Sequence, residues 1–145
     1  MSRIDPYAGY NFSVELDGIT RAGFRECSGL ETTQRAGEYR EGTDRHLNVR
    51  KLPGLNTYGD IRLSRGFTSD GKLWEWRLKA MRGTVERHNI SITLNDDEGN
   101  ARITWNLFDC WPSGWTGPAL NATSDEVAVE ELTLACERIE VDQWK

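Results

Sequence analysis

Two histidines and three cysteines are the residues of this chain whose types could support metal or nucleophilic chemistry. His46 and His88 have no cysteine or carboxylate at the spacing that a helical metal site uses, so the sequence predicts no metal centre. The cysteines, Cys27, Cys110 and Cys136, are odd in number, far apart and without a C-x-x-C pair. This pattern indicates neither a zinc site nor a disulfide framework, and we interpret all three as small buried apolar residues.

Nucleophilic catalysis has one candidate, Cys27, which precedes Ser28-Gly29 and could take a histidine as its base. A buried cysteine at a strand end explains the same residues more simply. Glycine-rich phosphate loops and the G-x-S-x-G motif are absent from the sequence. The turn DDEGN resembles a calcium loop only superficially, because Trp105 stands where the twelfth position needs a glutamate. The sequence therefore predicts no enzyme and no cofactor.

The charge of the chain argues against a nucleic-acid-binding protein. The formal net charge is -5 and the isoelectric point is about 5.1, whereas DNA-binding domains present a basic face. Acidic residues concentrate between Asp125 and Asp142, where Arg138 is the one cation. This segment is either a solvated face or an interface or lumen wall, where repeated copies would create a negative field.

The length of 145 residues suits one domain with its own core, and the aromatic content favours β structure. The amino terminus, MSRIDPYAGYNF, lacks the apolar stretch of a signal peptide, and no window approaches a membrane span. We therefore expect a single domain over residues 1–145. It should be made in the cytosol, stay soluble and not insert into a membrane.

Strand signals recur along the chain. Tyr10 to Leu16 alternates apolar and polar residues, and Asp17-Gly18 leads into a second extended run that ends at Cys27, which predicts a hairpin. Residues 88–95 and 101–110 alternate in the same way around DDEGN and predict a second hairpin. Further strands are expected over residues 46–52, which end at Pro53-Gly54, and over 58–67.

Two segments give conflicting signals. LWEWRLKAM alternates like a strand, but its residue types favour a short helix near residues 70–82, with Ser69 or Asp70 as cap and Gly83 at its end. Trp74, Leu78 and Met81 would form its apolar stripe. The carboxyl segment EVAVEELTLACERIEV changes its apolar parity twice, which favours a strand with bulges over the rival helix.

Residues 28–47, SGLETTQRAGEYREGTDRHL, are polar and show no period of either kind. A loop of this length inside a small domain is usually functional or ordered by a partner. We interpret it as a candidate contact arm.

Several stretches together resemble one family. They are AGFRECSGLE, EYREG, RKLPGLNTYGDIRLSRG, DGKLWEW, ISITLNDDEGN and TWNLFDCWPSGWTGPALNATSDEVAVEELTLACERIEV. Their order and spacing, from about Tyr10 to Val141, resemble the inner tail tube protein of contractile phage tails and phage-tail-like contractile injection systems.

The resemblance implies a mainly β fold, with two packed antiparallel sheets in a barrel-like sandwich and one short α-helix. It also implies a structural role. Hexameric rings would stack into a tube inside a contractile sheath, with baseplate and terminator proteins as further partners. The lumen would conduct DNA or protein effectors without sequence-specific binding. The assembled subunit would be part of a phage tail or a phage-tail-like particle. A monomeric small β-barrel that binds a ligand among its tryptophans is the alternative.

Carried onto this chain, the resemblance places subunit contacts on the arm of residues 28–47 and on the segment that follows it. The expected contact residues are Glu38, Tyr39, Arg40, Glu41, Gly42, Lys51, Leu52, Pro53 and Gly54. The first hairpin is the leading candidate for the lumen wall, and the acidic last strand is the second. The lumen candidates are Asn11, Ser13, Glu15, Arg21 and Arg25.

Overall fold

The computed structural model describes residues 5–16 and 23–145. Within these ranges the chain forms nine strands and one helix. In chain order they are β1 Phe12–Leu16, β2 Glu26–Ser28, β3 Thr32–Tyr39, β4 Arg50–Tyr58, β5 Ile61–Gly66, α1 Lys72–Met81, β6 His88–Asn95, β7 Ala101–Thr116, β8 Val129–Ala135 and β9 Arg138–Trp144.

Two antiparallel sheets pack on each other and share the long strand β7. The first sheet has the order β1-β6-β7-β9, and the second has the order β7-β8-β5-β2. The predicted class, mainly β with two packed antiparallel sheets and one short helix, is confirmed. The described strands form a sandwich and do not close into a barrel.

The core fills the space between the two sheets. The alternating apolar residues of β1 and β6 point into it, as do those of β5 and β8. Burial of each such side chain contributes about 1.5–3 kcal/mol relative to exposure. The fully buried members include Val14, Leu16, Ile61, Leu63, Ile90, Ile92, Leu107, Leu132 and Leu134.

The sheets meet at a corner where β7 and the β8–β9 segment bend together. Phe108 pairs with Arg138 on one side of the corner, and Trp111 pairs with Ala135 on the other. Between them Asp109 adopts a left-handed φ of 53°. In β8 the even-numbered residues, such as Leu134, face the core, whereas in β9 the odd-numbered residues, such as Ile139, face it. The strand interpretation of the carboxyl segment is confirmed, and its changing parity marks the passage between sheets.

Helix α1 lies within the predicted range but buries a different face. Leu73 and Trp76 are buried, whereas Trp74 is 40% exposed and Met81 is 50% exposed, so the predicted stripe was wrong. The Trp76 indole Nε1 donates to the Glu86 carbonyl oxygen at 2.8 Å, which fixes this ring inward. Within the described ranges, no helix is long and apolar enough to cross a membrane.

Both ends of the helix use predicted residues. The Asp70 carboxylate accepts a hydrogen bond from the backbone N–H of Lys72 at 3.1 Å, although Gly71 is the formal cap residue. At the other end Gly83 takes a φ of +91°, which L side chains rarely adopt.

The second predicted hairpin is confirmed, with Leu94 opposite Ile103. Strand β7 runs on to Thr116, beyond the expected end at Cys110. The first predicted hairpin is not found in the described residues, because β1 pairs with β6 and β2 pairs with β5. Its turn, Asp17-Gly18, and residues 19–22 lie outside the described residues.

Strands β3 and β4 form a separate two-stranded antiparallel sheet, called the ribbon below with the turn between them. The expected loop over residues 28–47 was therefore wrong for Thr32–Tyr39. Pro53-Gly54 does not end a strand, because β4 passes through it at a register shift opposite Gln34 and Ala36. Proline is tolerated at such a bulge on an edge strand.

Candidate functional site

Cys27 and the two histidines do not assemble into a catalytic or metal-binding centre in the described part of the chain. Cys27 packs against the core, and burial raises the pKa of its thiol to about 11, with a second contribution from Cys136. A thiol with so high a pKa is a weak nucleophile at neutral pH. Among the described residues, no group of histidine, cysteine and acidic side chains could hold a metal ion.

The ribbon is the most exposed regular structure of the molecule. Every residue of β3 is exposed, as is every residue of β4 before Tyr58. Its apolar side chains are included, since Leu55 is 75% exposed and Leu52 is 48% exposed. A lone two-stranded ribbon is marginally stable in water, and this one gains no stability from a buried face within the subunit.

The base of the ribbon is held by close backbone contacts. Gly29 has a φ of +95°, and a Cβ there would lie 1.9 Å from the carbonyl oxygen of Asp60. On the returning strand, the backbone N–H of Gly59 donates to the Glu31 carbonyl oxygen at 3.1 Å. The two chain segments therefore leave the domain in a fixed position.

The tip of the ribbon is ordered by charged side chains. Arg50 contacts the Asp44 carboxylate at 2.5 Å, and the same carboxylate accepts the backbone N–H of Glu41 at 3.0 Å. Arg40 donates to the carbonyl oxygen of His46 at 3.3 Å. These contacts hold the tip without involving the core.

All nine predicted contact residues lie on the ribbon. Glu38 and Tyr39 end β3, residues 40–42 belong to the tip, and residues 51–54 lie in β4. Glu38 and Lys51 are directly opposite each other and form an ion pair of 3.2 Å. The structure thus brings the two predicted groups together on one projecting element.

The outer face of the first sheet is polar, and we call it the polar sheet face. Ser13 and Glu15 of β1 lie opposite Thr93 and Ser91 of β6. The Ser91 hydroxyl donates to the Asn106 side-chain oxygen at 2.9 Å, so the face continues onto β7. Its polar members are Ser13, Glu15, Ser91, Thr93, Thr104, Asn106, Glu140 and Gln143, and Phe108, with Arg138 over its ring, lies at the end of the same face.

The lumen candidates do not all share this face. Ser13 and Glu15 belong to it, while Asn11 donates to the Asp96 carbonyl oxygen at the β6–β7 turn. Arg25 lies beside the second sheet, since its backbone N–H donates to the Ser64 carbonyl oxygen at 2.8 Å. Arg21 lies outside the described residues. Ser91, Thr93, Thr104 and Asn106 were not among the lumen candidates, although the polar positions of the second hairpin place them on the same face as Ser13 and Glu15.

The acidic carboxyl segment is divided between core and surface. Glu130 is buried beside Arg65, whereas Asp125, Glu126, Glu137, Glu140 and Asp142 are exposed. The segment is therefore not one solvated face, and its exposed carboxylates lie mostly before β8 and along β9.

The tryptophans do not line one enclosed cavity in the described part of the chain. Trp76 is buried in the core, and Trp105 packs against it. Trp74 and Trp115 have ring centroids 4.9 Å apart and line an open surface pocket of roughly 300 Å³. This arrangement does not support the ligand-binding barrel.

Comparisons with known proteins agree on one kind of protein. The family model described as T4-like virus tail tube protein gp19 matches residues 8–140. A chain of the PVC sheath-tube complex, an extracellular contractile injection system in its extended state, is 32% identical, with a TM-score of 0.85 over 95% of this chain and 92% of that one. A chain of the anti-feeding prophage tube-terminating cap is also 32% identical, with a TM-score of 0.88 over 99% and 95%.

More distant similarity concerns the fold alone. Hcp1 from Flavobacterium johnsoniae is 14% identical, with a TM-score of 0.58 over 92% of this chain and 96% of that one. No curated protein matches the sequence.

Proposed function

The chain belongs to the T4-like virus tail tube protein family and is a tail tube protein of contractile injection systems, and from this we propose that it forms the inner tube as stacked hexameric rings. The lumen of the tube would conduct DNA or protein effectors. The observation that carries the proposal is the fully exposed ribbon, which has two open edges and no buried face within the subunit.

Ring formation would give the ribbon the partner that it lacks. Open strand edges are either blunted or paired, and pairing between copies removes them. A contact between different surfaces of identical subunits repeats around a ring or along an axis. We assign the ribbon of one subunit, with Glu38 to Gly42 and Lys51 to Gly54, to the surface of a neighbouring subunit in the same or the next ring.

Charge supports this contact. Between Thr32 and Tyr58 the ribbon carries five cations, Arg35, Arg40, Arg45, Arg50 and Lys51, against three acids, Glu38, Glu41 and Asp44. The exposed acids of residues 125–142 offer an opposite charge on the body of the subunit. Complementary charge of this kind fixes orientation and speeds association, and it weakens as salt is added.

We assign the polar sheet face to the lumen wall. It presents hydroxyl, amide and carboxylate groups. Glu15 and Glu140 are its acids, and Arg138 on the same face is paired with Glu140 at 3.3 Å. Polyanions bind where lysine or arginine side chains cluster, so this face would let DNA slide past. It would also give a protein no large apolar patch to adhere to, because the Arg138 guanidinium lies 4.2 Å from the Phe108 ring centroid and covers that ring.

The sheath, the baseplate and the terminator are the further partners that we propose. The similar chains come from a sheath-tube complex, a sheath/tube terminator and a tube-terminating cap. Subunits made in the bacterial cytoplasm would join these partners in a phage tail or a tail-like particle.

Assembly tests the proposal directly. The purified chain is examined by light scattering and negative-stain imaging across a concentration series, alone and with the baseplate proteins encoded beside it. Rings or tubes of constant diameter support the proposal. A 16.5 kDa monomer under both conditions contradicts it.

The lumen assignment has its own test. Thr93→Lys places a cation on the polar sheet face, and Asn121→Lys places one on an exposed turn away from it. Assembled Thr93→Lys tubes should retain short single-stranded DNA in a salt-sensitive manner, because six copies per ring would cluster the charge. Equal retention by the two variants would contradict the lumen assignment.

A further inference from the structure

Two cysteines that are far apart in sequence meet at the corner between the sheets. The sulfur atoms of Cys110 and Cys136 are 2.7 Å apart, and the residues are separated by 26 positions. Both are free thiols. The sequence interpretation, which saw three unrelated buried cysteines, missed this pair.

The strand register explains why the two sulfurs meet. Trp111 pairs with Ala135 on one side of the corner and Phe108 pairs with Arg138 on the other, and this common register places Cys110 opposite Cys136. Directly opposed residues in antiparallel strands have Cα atoms about 4.5–5.5 Å apart. A disulfide needs a Cα separation of roughly 4.4–6.8 Å, which is the range expected for two residues at this register.

We propose that Cys110 and Cys136 are a thiol–disulfide site, which closes into an intramolecular disulfide when the protein meets a small-molecule disulfide such as oxidised glutathione. The Cys136 thiolate attacks one sulfur of the oxidant and expels the other as a thiolate. The Cys110 sulfur then attacks the Cys136 sulfur, its proton passes to the departing small thiolate, and the second small molecule leaves as a thiol. Two protein thiols are oxidised, and one small disulfide is reduced to two thiols.

The order of the two steps follows from burial. Cys136 is half-buried at the break between β8 and β9, whereas Cys110 is fully buried. The contact with the Cys136 thiol is the larger cause that raises the pKa of the Cys110 thiol, and burial adds to it. The larger cause is removed once the Cys136 sulfur is bonded in the mixed disulfide, so Cys110 becomes a better nucleophile at the second step than in the reduced protein. The more accessible Cys136 is therefore the entry point, and Cys110 is the resolving thiol.

The disulfide would fasten the corner at which both strands change sheets. Cys110 lies in β7, directly after Asp109 with its left-handed φ, and Cys136 lies between β8 and β9. Cross-linking them removes freedom from the unfolded chain, which is the usual source of stabilisation by a disulfide. The site does not depend on the tube function, and it would act in the isolated subunit.

The test is thiol mapping of the full chain after reduction, removal of the reductant and treatment with excess oxidised glutathione. Free thiols are blocked by alkylation, and peptides are identified by mass without reduction. We expect a peptide cross-linked through Cys110 and Cys136, with two of the three thiols consumed. The unfolding midpoint should rise by on the order of 10 °C and fall again on adding reductant.

Two variants serve as matched controls. Cys27→Ser removes the third thiol, which pairs with the β5 strand at Leu63, and should leave the cross-link and the shift unchanged. Cys136→Ser should abolish both. Three free thiols in the treated wild type, a lasting glutathione adduct on Cys136, or a cross-link through Cys27 would each overturn the proposal.

Discussion

Arg65 and Glu130 form an ion pair between neighbouring strands of the second sheet, with the guanidinium Nε 2.5 Å from a carboxylate oxygen and both side chains buried. Each group has further partners. Arg65 donates to the Asp70 carbonyl oxygen at 2.8 Å, and Glu130 accepts from the Trp115 indole at 3.3 Å. The pair thereby ties the start of the helix to β8.

Removing one member of this pair should destabilise the fold strongly. Glu130→Gln leaves the buried Arg65 charge with the more exposed Asp70 carboxylate, 3.4 Å away, as its acidic partner, and we expect a loss of about 3 kcal/mol in the free energy of unfolding. Urea denaturation measures it, with the exposed Glu126→Gln as control. The double variant Arg65→Met, Glu130→Leu should recover most of the loss, since an apolar pair of similar volume leaves no unpaired charge. A single variant as stable as the wild type would contradict the buried pair.

Leu52 on the ribbon should matter for assembly and not for folding. Leu52→Asp introduces a charge on an exposed side chain, so the free energy of unfolding of the monomer should change by less than about 0.5 kcal/mol. If the ribbon contacts a neighbouring subunit, the concentration needed for assembly should rise about tenfold or more. Each loss of about 1.4 kcal/mol in contact free energy weakens the association constant tenfold.

Leu120→Asp is the matched control for this variant, because Leu120 is 87% exposed and lies outside the ribbon. Sedimentation of assembled material against concentration compares the two. Equal assembly by both variants would exclude the ribbon as the contact.

Gly29 should tolerate no side chain. Its φ of +95° is strained for alanine, and the added Cβ would collide with the Asp60 carbonyl oxygen. We expect Gly29→Ala to lower the free energy of unfolding by about 3 kcal/mol and the unfolding midpoint by roughly 10 °C. Gly42→Ala is the control, because nothing lies within 4 Å of a Cβ at that position. Calorimetry of both variants measures the two changes. Equal unfolding midpoints would contradict the close contact between Gly29 and the Asp60 carbonyl oxygen.

Asp96 should contribute stability that disappears in acid. The backbone N–H of Asn100 is the first cause that holds the pKa of its carboxyl below the usual 3.8, and Arg102 and Glu98 N–H add to it. A lowered pKa in the folded state means stability that is present above the unfolded pKa and is lost as the pH falls through the folded one.

Asp96→Asn should therefore be less stable than the wild type at pH 7, and the difference should shrink as the pH falls below 3.8. Denaturation at a series of pH values measures it, with exposed Asp125→Asn as control. A difference that stays constant with pH would show that the carboxylate charge is not the cause.

The second hairpin and the helix could be predicted from sequence because their signals are local. DDEGN supplies its own turn, where the Asp96 carboxylate accepts the backbone N–H of Glu98 and of Asn100. The helix was predicted from residue preference, but its buried face was not. Trp76 rather than Trp74 turns inward because Glu86 and His88, from outside the helix, contact its ring.

The ribbon and the cysteine pair could not be predicted, for a common reason. Burial on one face produces the alternation by which strands are recognised, and β3 has no buried face. Cys110 and Cys136 meet through a register that the corner sets between distant segments, and no local pattern encodes it. Long-range pairing and contacts between subunits leave little trace in a single sequence.

The passage of strand β7 through both sheets affects how the subunit responds to force. Its first half is bonded to β6 and β9, and its second half to β8, so one unbroken backbone runs through both sheets. A force applied to one sheet reaches the other through the covalent backbone of β7. The hydrogen bonds that join β7 to its neighbouring strands share that force. Sliding of the two sheets past each other would require the bend at Asp109 to open, so the subunit should transmit thrust as a stiff body rather than yield at its core.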